Sequence, residues 1–191
     1  MAFSVNDFRS QLIGDGARPN LFEVQLQFPS YVDLGNAAAR KSTFLVKSAQ
    51  LPGSTMGLVP MFYFGRESKL AGNRTFQDWT VQIINDEDFL IRNALEQWHA
   101  GLNDNTLNIR DPSADVVDGG YGADAIVRQY SKSGDIIKEY NMIGMWPIDI
   151  SPIEVDWGAN DTIEEFTATF ALQYWVDASQ PTNGLNFQIK F

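Results

Sequence analysis

His99 is the only histidine in the chain, and it follows Trp98 near the end of a helical pattern. A cation there complements the negative end of the helix dipole. With one imidazole, neither a Ser-His-Asp constellation nor a two-histidine metal site is legible. Carboxylates offer two arrangements. Glu154 and Asp156 fall on one face of an extended segment, and Asp86, Glu87 and Asp88 are consecutive. Two carboxylates hydrolyse glycosides when they face each other across a cleft at a set separation. Solvated surface acids and acids at a helix start are the simpler account of both groups. Asp111, Asp115, Asp118 and Asp124 spread oxygen ligands along a Gly-rich loop, as a weak calcium site would, but without the D-x-[DN]-x-[DN]-G order of an EF-hand. The strings G-x-S-x-G, G-x-x-x-x-G-K-[ST] and G-x-G-x-x-G are absent. The 5 Trp, 6 Tyr and 13 Phe could stack on sugars, yet most fall at alternating strand positions or on one helix face, where core packing claims them. No catalytic residue, metal site or cofactor site is expected.

These residues belong to a chain of 191 residues with a formal net charge of −10 and no Cys. The length suits one medium domain, able to remove roughly 70% of its unfolded surface from water. The absence of Cys excludes disulfides, thiolate nucleophiles and Cys-ligated zinc. No apolar run nears the roughly 18 residues that span a bilayer, and the start lacks the pattern of a signal peptide. Membrane insertion by this chain is therefore not expected, and the N-x-T strings at Asn73 and Asn160 carry little weight as glycosylation sites. Residues 1–100 hold 10 acids and 9 bases, while residues 101–191 hold 14 acids and 5 bases. An acidic surface repels phosphates, so tight nucleic-acid binding is excluded.

The elements follow from periodicity. Ser4 and Asp7 cap a short helix bearing Val5, Phe8 and Leu12 on one face. Phe22, Val24, Leu26 and Phe28 alternate with polar residues as a half-buried strand. Residues 29–41 read as a loop and Thr43–Ala49 as a strand, before the breaker Leu51-Pro52-Gly53. Residues 56–71 are apolar on both strand faces around Met61–Phe64, which fits either a central core strand or a hairpin arm buried on a neighbouring subunit. Trp79, Val81 and Ile83 share a strand face. Asn85 offers an N-cap, and Ile91, Ala94, Leu95, Trp98 and Leu102 line one face of the main helix. Residues 102–124 form an acidic loop. Ile126–Tyr130 and Asp135–Ile143 read as a hairpin; Trp146-Pro147 then interrupts, before a short strand around Ile153–Trp157. Phe166 to Tyr174 is the clearest strand, and Leu185, Phe187 and Ile189 alternate in the tail. The expected fold is mainly β: an antiparallel, barrel-like sandwich with one flanking α-helix and extended arms.

An ordered series of strings extends this reading. Ala17-Arg18-Pro19-Asn20-Leu21-Phe22-Glu23-Val24, then Leu51-Pro52-Gly53, resemble the tail tube proteins of T4-like contractile-tailed phages. So do Ala71 through Val81, Asn85-Asp86-Glu87, Ala125 through Tyr130, Met145-Trp146-Pro147, Asp156-Trp157 and Phe166 through Trp175. They stand in family order across residues 17–175. Segment 30–40, loop 102–124 and the tail after Trp175 look longer than the family minimum.

The resemblance implies a structural, non-enzymatic subunit of a virion tail, forming six-fold rings that stack into a hollow tube. Its implied partners are its own copies, the sheath protein, the tape-measure protein, a baseplate hub or initiator and a tail terminator, with genomic DNA in transit and not tightly bound. A single domain over 1–175 is expected, with a helical arm at 1–16, a hairpin arm at 50–75 and an extension at 176–191. Leu51, Pro52, Met61, Phe62, Phe64 and Arg74 are the expected subunit contacts. Glu139, Glu154, Asp156 and Glu165 are the expected lumen-lining acids. Two other readings stay open: a baseplate tube-initiator of the same fold, and a carbohydrate-binding β-sandwich.

Overall fold

Alternation of apolar and polar residues builds most of the molecule. The computed structural model describes residues 4–114 and 120–179. In chain order the elements are α1 (Val5–Gln11), β1 (Phe22–Leu26), α2 (Gly35–Leu45), β2 (Val46–Ala49), β3 (Ser54–Tyr63), β4 (Arg66–Phe76) and β5 (Trp79–Ile84). Then come α3 (Leu90–Leu102), β6 (Ala123–Tyr130), β7 (Ile136–Ile150), β8 (Glu165–Ala171) and β9 (Tyr174–Asp177). The body is one antiparallel sheet in the order β1-β6-β7-β8-β5-β2, with β9 added beside β7. This is the expected mainly β, barrel-like class.

The sheet bends at β7. Residues 136–145 of this strand pair with β6, and residues 146–150 pair with β8. The pivot is Gly144, whose φ of 61° is costly for any residue with a Cβ. Asp124 Oδ1 accepts the Gly144 N–H at 2.9 Å and holds the turn. The expected break at Trp146-Pro147 does not occur: β7 runs through it with a bulge between Pro147 and Asp149. The bend also divides the expected long strand 166–174. β8 stops at Ala171, Gln173 N donates to the Ile143 carbonyl at 3.1 Å, and β9 pairs with the other half of β7. β9 crosses the expected boundary at 175.

The concave side holds the core. Val24, Leu26, Val127 and Met142 face Val81, Ile83, Phe166 and Phe170 from the two halves of the sheet. Helix α3 closes it with Ile91, Ala94, Leu95 and Trp98, as its apolar stripe requires. Trp98 packs on Phe28 and Phe170 and donates through Nε1 to the Tyr121 carbonyl at 2.8 Å.

Several segments differ from expectation. Segment 29–41 was expected as loop and 43–45 as strand, but Gly35–Leu45 is helix α2, packed against α3, β1 and β2. Its buried residues are Gly35, Ala38 and Ser42, which keep a helical spacing without large side chains. Ser42 Oγ accepts the Leu26 N–H at 3.0 Å, so the helix also satisfies the edge of β1. Asn85 caps nothing. Helix α3 starts at Leu90, while buried Asn85 donates through Nδ2 to Glu164 at 3.0 Å. Residues 151–156 form no strand. The expected alternation at Leu185, Phe187 and Ile189 lies outside the described residues, as do Asp115 and Asp118.

Candidate assembly surfaces

The residues first weighed for chemistry do not converge. His99 Nε2 donates to the Pro147 carbonyl at 3.1 Å at the end of α3. Asp86 and Asp88 both grip Lys41 Nζ at 2.6 Å across to α2. Asp111 accepts from the Ser113 backbone at 2.8 Å, and Asp124 is occupied by Gly144. Among the described residues no group of three or more His, Asp or Glu side chains could hold a metal ion. Of the aromatics weighed as a sugar platform, Trp79, Trp98, Phe166 and Phe170 are consumed in the core, while Phe62, Phe64 and Trp157 among others are exposed.

The dominant surface feature is the β3–β4 hairpin. Its strands pair from Ser54–Phe76 to Tyr63–Arg66, around a turn at Phe64-Gly65. Among the described residues the hairpin pairs with no other strand. The core-strand alternative for 56–71 is thereby overturned, because both faces are open: Phe62 is 73% and Phe64 89% exposed. Met56, Leu58, Met61 and Leu70 are exposed beside them. Trp175 Nε1 donates to the Gly53 carbonyl at 3.1 Å, and the Trp175 ring meets Phe76 edge-on, which anchors the root. Of the expected contact residues, Met61, Phe62, Phe64 and Arg74 lie on the hairpin, with Leu51 and Pro52 at the approach to it.

The four acids expected along a lumen do not share one surface. Glu139 lies on the wet face of the β1-β6-β7 half. Arg128 Nε donates to it at 2.7 Å and also reaches Glu23, while Tyr130 Oη donates to Glu23 at 2.5 Å. The Glu139 carboxylate raises the pKa of Arg128, and that of Glu23 raises Tyr130. Glu165 lies on the other half, bound by Lys47 at 2.6 Å and by Gln82 at 2.7 Å. Glu154 and Asp156 stand apart, exposed on the loop between β7 and β8. Glu139 and Glu165 are thus each matched by a cation, whereas Glu154 and Asp156 make no ion pair among the described residues.

A family model described as phage tail tube protein matches residues 17–178. The chain belongs to this family. Its sequence is 34% identical over 165 residues to the tail tube protein gp19 of Enterobacteria phage T4, covering 85% of this chain and 92% of that one. The Serratia phage KSP90 tail tube protein is 24% identical over 166 residues. Among solved structures, a chain of the sheath–tube complex of an extracellular contractile injection system superposes with a TM-score of 0.57 at 12% identity, covering 92% of this chain and 98% of that chain. A chain of the anti-feeding prophage tube-terminating cap gives 0.61 at 14% identity, with 93% and 98% covered. These two likenesses show the fold. The tail tube family is structural, and this subunit is a component of the virion tail. Among the described residues no helix is long and apolar enough to cross a membrane.

Proposed function

We propose that copies of this tail tube subunit close into six-membered rings that stack into the inner tube of a contractile tail, with no catalytic activity of their own. The observation that carries this reading is the hairpin, whose apolar residues are exposed on both faces in a single subunit. Burial against a neighbouring copy removes that surface from water at about 25 cal/mol per Å². Met61, Phe62, Phe64 and Arg74 make the contact, with Leu51 and Pro52 at its base. The wet faces of the sheet line the bore. There Glu139 and Glu165 are matched by Arg128 and Lys47, so the wall presents little free positive charge to phosphates. Genomic DNA then passes without exchanging its counterions for protein cations. The sheath, tape-measure, baseplate hub or initiator and tail terminator proteins are the further partners of this reading.

Electron microscopy of the purified chain tests it. The parent chain forms rings or tubes, and Phe62→Asp/Phe64→Asp leaves a folded subunit that does not polymerise. Tubes of normal length from that double variant would refute the role of the hairpin.

A further inference from the structure

The loop of residues 151–164, between β7 and β8, lies at the other end of the sheet from the hairpin. Antiparallel β5 and β8 pair Trp79 with Phe170 at one end and Ile84 with Glu165 at the other. The hairpin ends at Phe76, three residues before Trp79, and the loop ends at Glu164, next to Glu165. Six residues of strand, about 20 Å, separate the two roots.

The two surfaces are opposite in charge and alike in apolar exposure. The loop carries Glu154, Asp156, Asp161 and Glu164 and no base. Between these acids Val155 and Ile163 are exposed, and Trp157 is fully open to solvent at 103%. Asp156 orders the tip by accepting the Gly158 N–H at 2.9 Å. The hairpin carries Arg66, Lys69 and Arg74 against a single acid, Glu67, in a chain of net charge −10. Among the described residues, no ion pair uses Arg66, Lys69, Arg74, Glu154, Asp156 or Asp161. Among the described residues, both surfaces thus hold unpaired charge of opposite sign beside exposed apolar side chains.

We infer that the hairpin of one copy docks on the 151–164 loop of the next copy. The hairpin's Phe62 and Phe64 bury Val155, Trp157 and Ile163, while Arg66 and Lys69 face Glu154 and Asp156. A tryptophan in a desolvated centre with charged groups at the rim is the usual make-up of an interface hot spot. Because the two surfaces differ and lie at opposite ends, the contact is head-to-tail, and each copy added presents a fresh surface to the next. This inference rests on the self-assembly reading and names the receiving surface that reading leaves open.

The test compares pelleted polymer from the full chain and four variants, each checked for folding by circular dichroism and thermal melting. Glu154→Lys/Asp156→Lys reverses the loop, and Arg66→Glu/Lys69→Glu reverses the hairpin. Each raises the concentration needed for polymer about tenfold or more, and combining the two pairs restores polymer towards the parent level. Trp157→Ala, whose side chain makes no contact that the subunit's fold requires, also weakens assembly about tenfold or more. Parent-like polymer from Glu154→Lys/Asp156→Lys or from Trp157→Ala overturns the inference, even if sheath binding is lost. So does a combined variant no better than its halves. Absence of polymer from the parent chain refutes the self-assembly reading itself, so the two failures are distinct.

Discussion

Trp98 joins helix α3 to both halves of the sheet. It is fully buried, with its ring centroid 5.5 Å from that of Phe28 and 6.1 Å from that of Phe170. Truncation removes these contacts and leaves the Tyr121 carbonyl without its indole donor. Trp98→Ala is expected to cost about 3–5 kcal/mol, read as a lowered urea midpoint. Gly101, one helical turn on, has a different use. A Cβ there would lie 2.2 Å from Cε2 of Tyr31, so the ring occupies the space that any larger residue needs. The Trp98 and Leu95 stripe was legible from its helical period. The Gly101–Tyr31 contact was not, since nothing local in the sequence marks which ring a glycine will meet.

At the scale of elements, the bend in β7 decides the shape. Gly144 takes φ of 61°, and a Cβ on it would lie 2.9 Å from Cγ of Gln173, the residue that leads into β9. Gly144→Ala therefore strains the backbone by about 1–2 kcal/mol and presses on the crossing chain. The expected outcome is a lowered unfolding midpoint, measured by urea titration. Alternation along 166–174 read as one strand because period 2 continues across the break; only the pairing of β9 with β7 divides it. Helix α2 was hidden for another reason. Its packed positions, Gly35, Ala38 and Ser42, are small, so no apolar stripe announces it. Conversely, the two-faced apolar run at 61–64 was visible, but whether a core or a neighbour covers it could not be read locally.

For the whole molecule, acid is the sharpest probe. Asp15, Asp86, Asp104, Asp111 and Asp177 are all held below the usual aspartate value of 3.8. The causes are hydrogen bonds, chiefly from Lys132, Lys41, the Leu107 backbone, Ser113 and Lys138 in that order. Depressed carboxylates contribute stability above their unfolded pKa and lose it as pH falls through the folded one. Thermal midpoints should thus be level near neutrality and fall below about pH 4, measured by circular dichroism melts. A midpoint that rose on acidification would contradict these contacts. The ties join segments far apart in sequence, Lys41 to Asp86 and Asp88, Lys132 to Asp15 and Lys138 to Asp177, but they are solvent-exposed, so the fall is modest.

Local pattern alone determined the mainly β class, the faces of β1, β5 and β8, and the stripe of α3. Each depends only on a period of 2 or 3.6 within a few residues. The ordered strings from Ala17 to Trp175 were enough to point to the tail tube family. Three things belonged to tertiary structure: the exposure of the hairpin, the pairing of Glu139 with Arg128 and Glu165 with Lys47, and the isolation of Glu154 and Asp156 on a loop. Each depends on which strands pair and in what register, which no local period fixes. A net charge of −10 says how much acid the chain holds, but only the folded surface separates acids already matched by cations from those still open to a partner.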